Sequence, residues 1–460
     1  MLWGWIGFFF SYPSKHRSMK QEFIVLRESR SQETCDGNLR FPLPEIALEN
    51  LDETQVAAVQ RENEFIALAP NIPIRIQESV PDQRDHFDAV TNAYCAWGIE
   101  SIGAVNSSLS GKGMIAAILD SGIDSAHAAF SGMDLVERDF VGVGNGDGHG
   151  HGTHSAGALF GQDVAGVRIG VARDVERGLI AKVVDDSGCG ESWRVFQALE
   201  WAARGGANVV LMSLSISLHD YIDRLKSGGT TSDAAAGVAL EAYHSLISLY
   251  RKYVAFLRLR SRAMIVVTGV GDANIKSPDL PWQLSSEPIS AVGGITSVGA
   301  LDRGKDGYVV AGFSNSNPDV VAPGVEVLSA KAGSQGMMTT SGTSAAASYV
   351  AGVALLWGEY LATRRAFTSF DLEAYVTTSG DLLDIAPGTP KIDLGKGLVE
   401  SPGVDKKKRV IRSHTSKRRA STFYKARRMS LSALLALQSG PKVQRHRQVK
   451  TLRRLARARK

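Results

Sequence analysis

From Gly98 onward the apolar positions fall into short runs bounded by small or polar residues. Residues 114–119, 178–184, 207–213, 264–268, 289–292 and 320–322 are continuous enough to predict strands buried on both faces. Between them, 154–160, 194–204 and 234–259 carry apolar residues at helical spacing. Strands alternating with helices predict a mainly parallel sheet with helices on both faces, an α/β fold. Residues 233–262 form one long amphipathic pattern. Ser232 stands where a cap would be, and Leu246, Tyr250 and Phe256 point to the core.

Ahead of this region, residues 19–80 read as a small α/β unit. A strand is predicted over 23–27, a helix over 52–63 behind an acidic first turn, and a strand over 65–76. Residues 81–95 are a mostly polar linker, with the polar stretch at 82–94. Residues 1–12 are apolar, with no basic residue before the aromatic run and no small-x-small site after it, which makes a poor signal peptide. Met19 looks the more natural start, with 1–18 an apolar extension. Compartment stays open between cytoplasmic and secreted.

Chemistry concentrates in three segments. The first is Ala116-Ala117-Ile118-Leu119-Asp120-Ser121-Gly122, the second His151-Gly152-Thr153-His154-Ser155-Ala156-Gly157, and the third Ser341-Gly342-Thr343-Ser344-Ala345-Ala346-Ala347. An acid, an imidazole and a hydroxyl, each beside small residues, are what nucleophilic acyl transfer needs. Asp120 would close a strand, while His151 and Ser344 would open helices. That is where an open α/β sheet gathers its functional groups.

The order Asp…His…Ser, with these flanks, resembles the subtilisin-like serine proteases (subtilases). Secondary marks agree: Ser297-Val298-Gly299-Ala300, Phe313-Ser314-Asn315 and Val321-Ala322-Pro323-Gly324. The resemblance covers roughly 96–402. The long helix and Gly166-Val167-Arg168-Ile169-Gly170-Val171-Ala172 are similar to a bacterial branch. It implies a three-layer domain with a serine endopeptidase site: Ser344 the nucleophile, His151 the base, Asp120 the orienting acid. It also implies that 19–80 is a propeptide that chaperones folding and blocks the cleft, as in a zymogen. Peptide or protein substrates and the chain's own propeptide-like unit are the implied partners.

Two departures from the family pattern matter. Where the family carries an oxyanion asparagine, Thr268-Gly269-Val270-Gly271-Asp272 puts Asp272. An ionised carboxylate there would repel the developing charge, whereas a protonated one could donate; burial beside Ser344 would raise its pKa. A minor branch of kexin-like convertases carries Asp here and stays active. Asn274 is a stand-in if the loop is re-registered. The substrate-pairing strand reads Ser213-Leu214-Ser215-Ile216 without the family's two glycines, which predicts a narrowed or rerouted cleft. A catalytically impaired subtilase that binds peptides is therefore a second reading.

His149, His151 and His154 form an H-x-H-x-x-H cluster, but no H-E-x-x-H partner accompanies it. His154 is expected to be structural and His149 a loop residue. No metal or cofactor is expected for the chemistry, and a structural calcium has no motif behind it; residues 141–150, Asp147 included, read as a loop. Cys35, Cys95 and Cys189 fit no metal spacing and read as free thiols.

Charge is segregated. Residues 401–460 hold 20 Lys and Arg against one acid, Asp405, a balance of +19, while the rest holds 32 basic and 46 acidic residues, −14. Residues 403–460 read as a disordered basic extension, a polyanion binder for nucleic acid or an anionic surface. No apolar run reaches the ~18 residues of a membrane span.

Overall fold

The computed structural model describes residues 20–29, 42–77, 90–92, 94–261, 263–274, 284–287 and 289–403. The apolar extension 1–18, Cys35, most of the 81–95 linker and the basic extension beyond Gly403 lie outside the described residues.

The N-terminal unit holds β1 (Gln21–Arg27), β2 (Glu45–Leu51), α1 (Glu53–Val59), β3 (Phe65–Pro70) and β4 (Pro73–Ile76). The first three of those strands form an antiparallel sheet in the order β2-β1-β3. Asp52 caps α1 in a capping box with Gln55. The apolar run 65–76, predicted as one strand, is two. Asn71 breaks it because its side chain is engaged elsewhere, accepting from Trp193 N at 3.0 Å and Ser192 Oγ at 3.1 Å. Strand β2 was not predicted, since its Glu and Asn positions blur any alternation. Within the linker, β5 (Val90–Asn92) pairs with β6 (Cys95–Ala96), and α2 (Trp97–Ser101) follows.

The large domain continues with β7 (Ile115–Asp120), β8 (Leu135–Asp139), α3 (His151–Phe160), β9 (Arg177–Lys182), β10 (Cys189–Glu191), α4 (Ser192–Arg204), β11 (Val209–Met212), β12 (Leu214–Ile216), α5 (Leu218–Ser227) and α6 (Ser232–Arg260). It ends with β13 (Ile265–Gly269), β14 (Ile295–Gly304), β15 (Gly307–Val310), β16 (Val320–Pro323), β17 (Val327–Ala330), β18 (Met337–Thr340), α7 (Thr343–Ala362) and α8 (Ser369–Thr378). An eight-stranded sheet runs β15-β14-β13-β11-β7-β9-β8, with β16 also on β14. All its pairings are parallel except β14 with β15.

Strand pleating sorts the core into two halves. Ala116, Ile118, Val209 and Leu211 face one side with α3 and α7, while Ala117, Leu119, Val210 and Met212 face the other with α4 and α6. This is the three-layer α/β architecture. The N-terminal unit joins the second half, where Ile24, Leu26, Ala69, Ile72 and Ile74 pack with Leu246, Tyr250 and Phe256 of α6. Among the described residues α7 is the one helix long and apolar enough to cross a membrane, and it is the buried centre of the first half-core.

Two further expectations are corrected. Residues 289–292 are a turn, and the strand begins at Ile295, after Gly294 takes a left-handed φ of 104°. The long helix is capped from Thr231, with Ser232 its first residue and no side-chain cap bond.

Candidate active site

Asp120 is the last residue of β7, where the strand leaves the sheet's C-terminal edge. His151 is the first residue of α3, and the two are brought together by a close approach of backbones. A Cβ on Gly152 would collide with the Gly122 carbonyl. Only glycine lets α3 lie that near the turn after β7. His151 Nδ1 then sits 2.8 and 2.9 Å from the two Asp120 oxygens. That pairing places the proton on Nδ1 and leaves Nε2 as the basic nitrogen.

Asp147 fastens the intervening loop. It accepts from Ser121 Oγ at 2.8 Å, Gly150 N at 2.7 Å, and Thr153 N and Oγ1 at 2.8 and 2.6 Å. Ser121 Oγ in turn accepts from Gly152 N at 3.0 Å. In the sequence this role is marked only by an acid four residues ahead of a helix start. Burial pushes the His151 pKa down, but the charge and hydrogen bond of Asp120, with Asp147 and Asp272 further off, outweigh it and leave it raised.

Ser344 is the second residue of α7, where first-turn N–H groups lack intrahelical partners. It is buried, as are Ala345, Ala346 and Ala347. A Cβ on Gly342 would sit 3.2 Å from Ser344 Oγ and 3.0 Å from Asp272 Oδ2, so both oxygens border one small space. Among the described residues the imidazole bonds to Asp120 and not to Ser344; catalytic contacts are commonly loose without substrate.

Asp272 follows β13. Its Oδ1 accepts from Thr343 N at 2.8 Å, and its Oδ2 is buried with no partner. Burial lifts its pKa to about 7 against the opposing bonds from Thr343. Asn274 is not a stand-in: its Nδ2 donates to the Ser314 carbonyl at 3.2 Å.

Ser213, Leu214 and Ser215 lie along one wall. Here β4 of the N-terminal unit inserts between β10 and β12, antiparallel to both. Leu214 stands opposite Ile76, Ser215 opposite Arg75, and Ile216 opposite Ile74. Backbone pairing therefore survives without the two glycines, because strand side chains project to the faces and not into the ladder. Arg75 makes a two-pronged pair with Asp220 at 2.5 and 3.0 Å. Gln77 and Glu287, unmarked in the sequence, meet at the end of this strand.

His154 Nε2 bonds to the Val327 carbonyl at 2.9 Å, and burial drops its pKa to about 4, so it is a neutral structural group. Among the described residues no group of His, Cys, Asp or Glu is assembled to hold a metal. Cys95 and Cys189 are free thiols.

A Subtilase family model matches residues 111–397. The chain is 32% identical over 282 residues to Subtilisin-like protease 6 of Arthroderma gypseum, covering 58% of each chain. It is 30% identical over 252 residues to Subtilisin-like protease 5 of Trichophyton tonsurans, covering 54% of each. To the Thermostable alkaline protease of Halalkalibacterium halodurans it is 25% identical over 368 residues, 76% of this chain and 84% of that one. The match thus spans little more than half of the fungal relatives. The family model nevertheless takes in the whole stretch from the turn before β7 to the loop after α8, well over half of the chain, and on that extent the chain belongs to the subtilase family.

Proposed function

We propose that the protein is a serine endopeptidase that hydrolyses peptide bonds through an acyl-enzyme. The observation that carries this reading is the Asp120–His151 pair in a structure that also puts Ser344 at the start of a buried helix, its Oγ bordering one small space with Asp272. In this scheme Ser344 Oγ attacks the peptide carbonyl and His151 Nε2 takes its proton. Asp120 steadies the imidazolium, and the proton passes on to the departing amine. Water then repeats the sequence on the ester. The Ser344 N–H, at the positive end of α7, and a protonated Asp272 hold the oxyanion.

The N-terminal unit acts as a propeptide in this reading. Strand β4 occupies the groove as an extended substrate would, paired on both sides by backbone hydrogen bonds.

The buried, unpartnered Asp272 Oδ2 favours a second reading at higher pH, a peptide binder with impaired turnover. Mass spectrometry after fluorophosphonate treatment at about pH 5 and about pH 7.5 tests both. A single adduct on Ser344, absent in Ser344→Ala, supports the protease. No adduct at either pH, in folded protein freed of the N-terminal unit, supports the binder.

A further inference from the structure

Strand β4 ends at Ile76, and the next residue, Gln77, is buried. Its N–H points to the Ser213 carbonyl at 3.4 Å. Its side chain runs toward the end of β13, where Nε2 lies 3.5 Å from the Gly269 carbonyl. A Cβ on Gly269 would come within 2.8 Å of Gln77 Oε1 and 2.5 Å of Thr343 Oγ1. The side chain therefore ends against the neighbour of Ser344.

At that end stands a carboxylate. Glu287 accepts hydrogen bonds from Gln77 and from Ser215. Its backbone is fixed by donation from Glu287 N to the Val270 carbonyl at 2.8 Å. Space for it is left by Gly271, which has a φ of 104° and where a Cβ would approach Glu287 Cγ to 2.8 Å and Oε1 to 2.9 Å. Two glycines thus open a slot between Ser215 and β13, and the groups at its far end, Glu287 and the Gly269 carbonyl, are acceptors.

Gln77 fills this slot imperfectly. Its amide nitrogen is used, but Oε1 is buried without a partner. Leaving a buried acceptor unpaired is costly. A side chain ending only in donors leaves nothing unpaired, and a cation gains in addition from the carboxylate.

We propose that Glu287 and the Gly269 carbonyl form a primary specificity pocket that selects a lysine immediately before the scissile bond, with Gln77 a resident weaker than a substrate. This rests on the protease reading above for its catalytic consequence, though not for the recognition itself.

Two experiments test it. The first, on folded protein from which the N-terminal unit has been cleaved, is hydrolysis of peptides that differ only in Lys, Gln, Leu or Glu before the cleaved bond. Lys should exceed Leu and Glu at least ~10-fold in kcat/KM, the scale on which a site built for a polar group rejects other side chains. Glu287→Leu should reverse the order of Lys and Leu. Leu cleaved as fast as Lys would overturn the proposal.

The second needs no turnover. In a Ser344→Ala background, which keeps the N-terminal unit attached, hydrogen exchange is followed at Ile76, whose N–H donates to the Gly188 carbonyl at 3.0 Å. Gln77→Lys should slow exchange and Gln77→Glu should speed it, the two differing at least ~10-fold. Adding Glu287→Leu should abolish that difference. Equal exchange in the Lys and Glu variants would overturn the pocket. Absence of all peptide hydrolysis, with the exchange order intact, would instead count against the protease reading alone.

Discussion

Asp272 Oδ2 and Ser344 Oγ border the same small space, each within 3.2 Å of where a Cβ on Gly342 would stand. In the proposed mechanism an aspartate beside Ser344 is useful only while it holds a proton, because only the protonated carboxyl can donate to an oxyanion. Burial lifts the Asp272 pKa to about 7. His151, its own pKa raised by Asp120, Asp147 and Asp272 against the opposing effect of burial, must be neutral to accept the serine proton. The two requirements meet only near neutrality.

Peptide hydrolysis should therefore follow a narrow bell in pH. The Asp272→Asn variant has a permanent donor, so its alkaline limb should vanish. At pH 8.5 its kcat should rise at least ~10-fold, toward the ~10²–10³ that one oxyanion donor supplies. A pH–rate profile of both proteins decides the matter, and an unchanged alkaline limb would remove Asp272 from the oxyanion site.

The same residue links stability to pH. With a folded pKa of about 7 against an ordinary value of 3.8, Asp272 keeps its proton in the folded state over a range where the unfolded chain has lost it. The folded state binds more protons, so stability falls as pH rises from about 4 to about 7 and levels off above that. His151 adds to the decline, since its raised pKa gives stability that is lost as pH climbs through it. Asp272→Asn should flatten the Asp272 part. Relative to wild type it should gain roughly 2–4 kcal/mol at pH 8 over its standing at pH 4, allowing for partial solvent access. Urea melts at the two pH values measure this; parallel curves for the two proteins would place the Asp272 pKa at its ordinary value.

Gly152→Ala probes the approach of α3 to β7. The added methyl meets the Gly122 carbonyl, so the helix start must move away. Overpacking of this kind typically costs about 1–3 kcal/mol. Because His151 is the adjacent residue, activity should fall far more than stability, by ~10²-fold or more, as misplacement of a catalytic group does. Thermal melts and kcat on one peptide give both numbers. Retention of wild-type kcat would show that the Asp120–His151 distance does not depend on this contact.

Much of this site was legible in the chain because each group sits at a junction that sequence marks well. Asp120 ends an apolar strand, and His151 and Ser344 begin helices amid glycine and alanine. What was not legible depends on tertiary neighbours. Asn71 splits the run 65–76 by bonding to Ser192 and Trp193, more than a hundred residues away. The segment 289–292 has strand composition but folds as a turn ahead of Gly294. Ser232 was as good a cap by type as Thr231, and neither side chain marks the start, since Thr231 makes no cap bond. Glu287 has no flanking signal at all. Its meaning arises only when β4 delivers Gln77 to it.

The occupancy of the groove by β4 makes a prediction of its own. Ile74 is buried at 1% exposure among residues of the second half-core, and it holds the strand in place between β10 and β12. Ile74→Asp places an unpaired charge in that core, which is strongly unfavourable. The local remedy is for β4 to leave the groove. Arg75→Ala removes only the partly exposed pair with Asp220, worth about 0–1 kcal/mol, and should barely loosen the strand. Fluorophosphonate labelling of Ser344 in the uncut chain should accordingly be on the order of tenfold faster in Ile74→Asp and nearly unchanged in Arg75→Ala, with near-ultraviolet circular dichroism confirming that the large domain stays packed. Equal labelling rates in wild type and Ile74→Asp would mean that β4 does not shield the nucleophile, and the N-terminal unit would then lose its role as a built-in inhibitor.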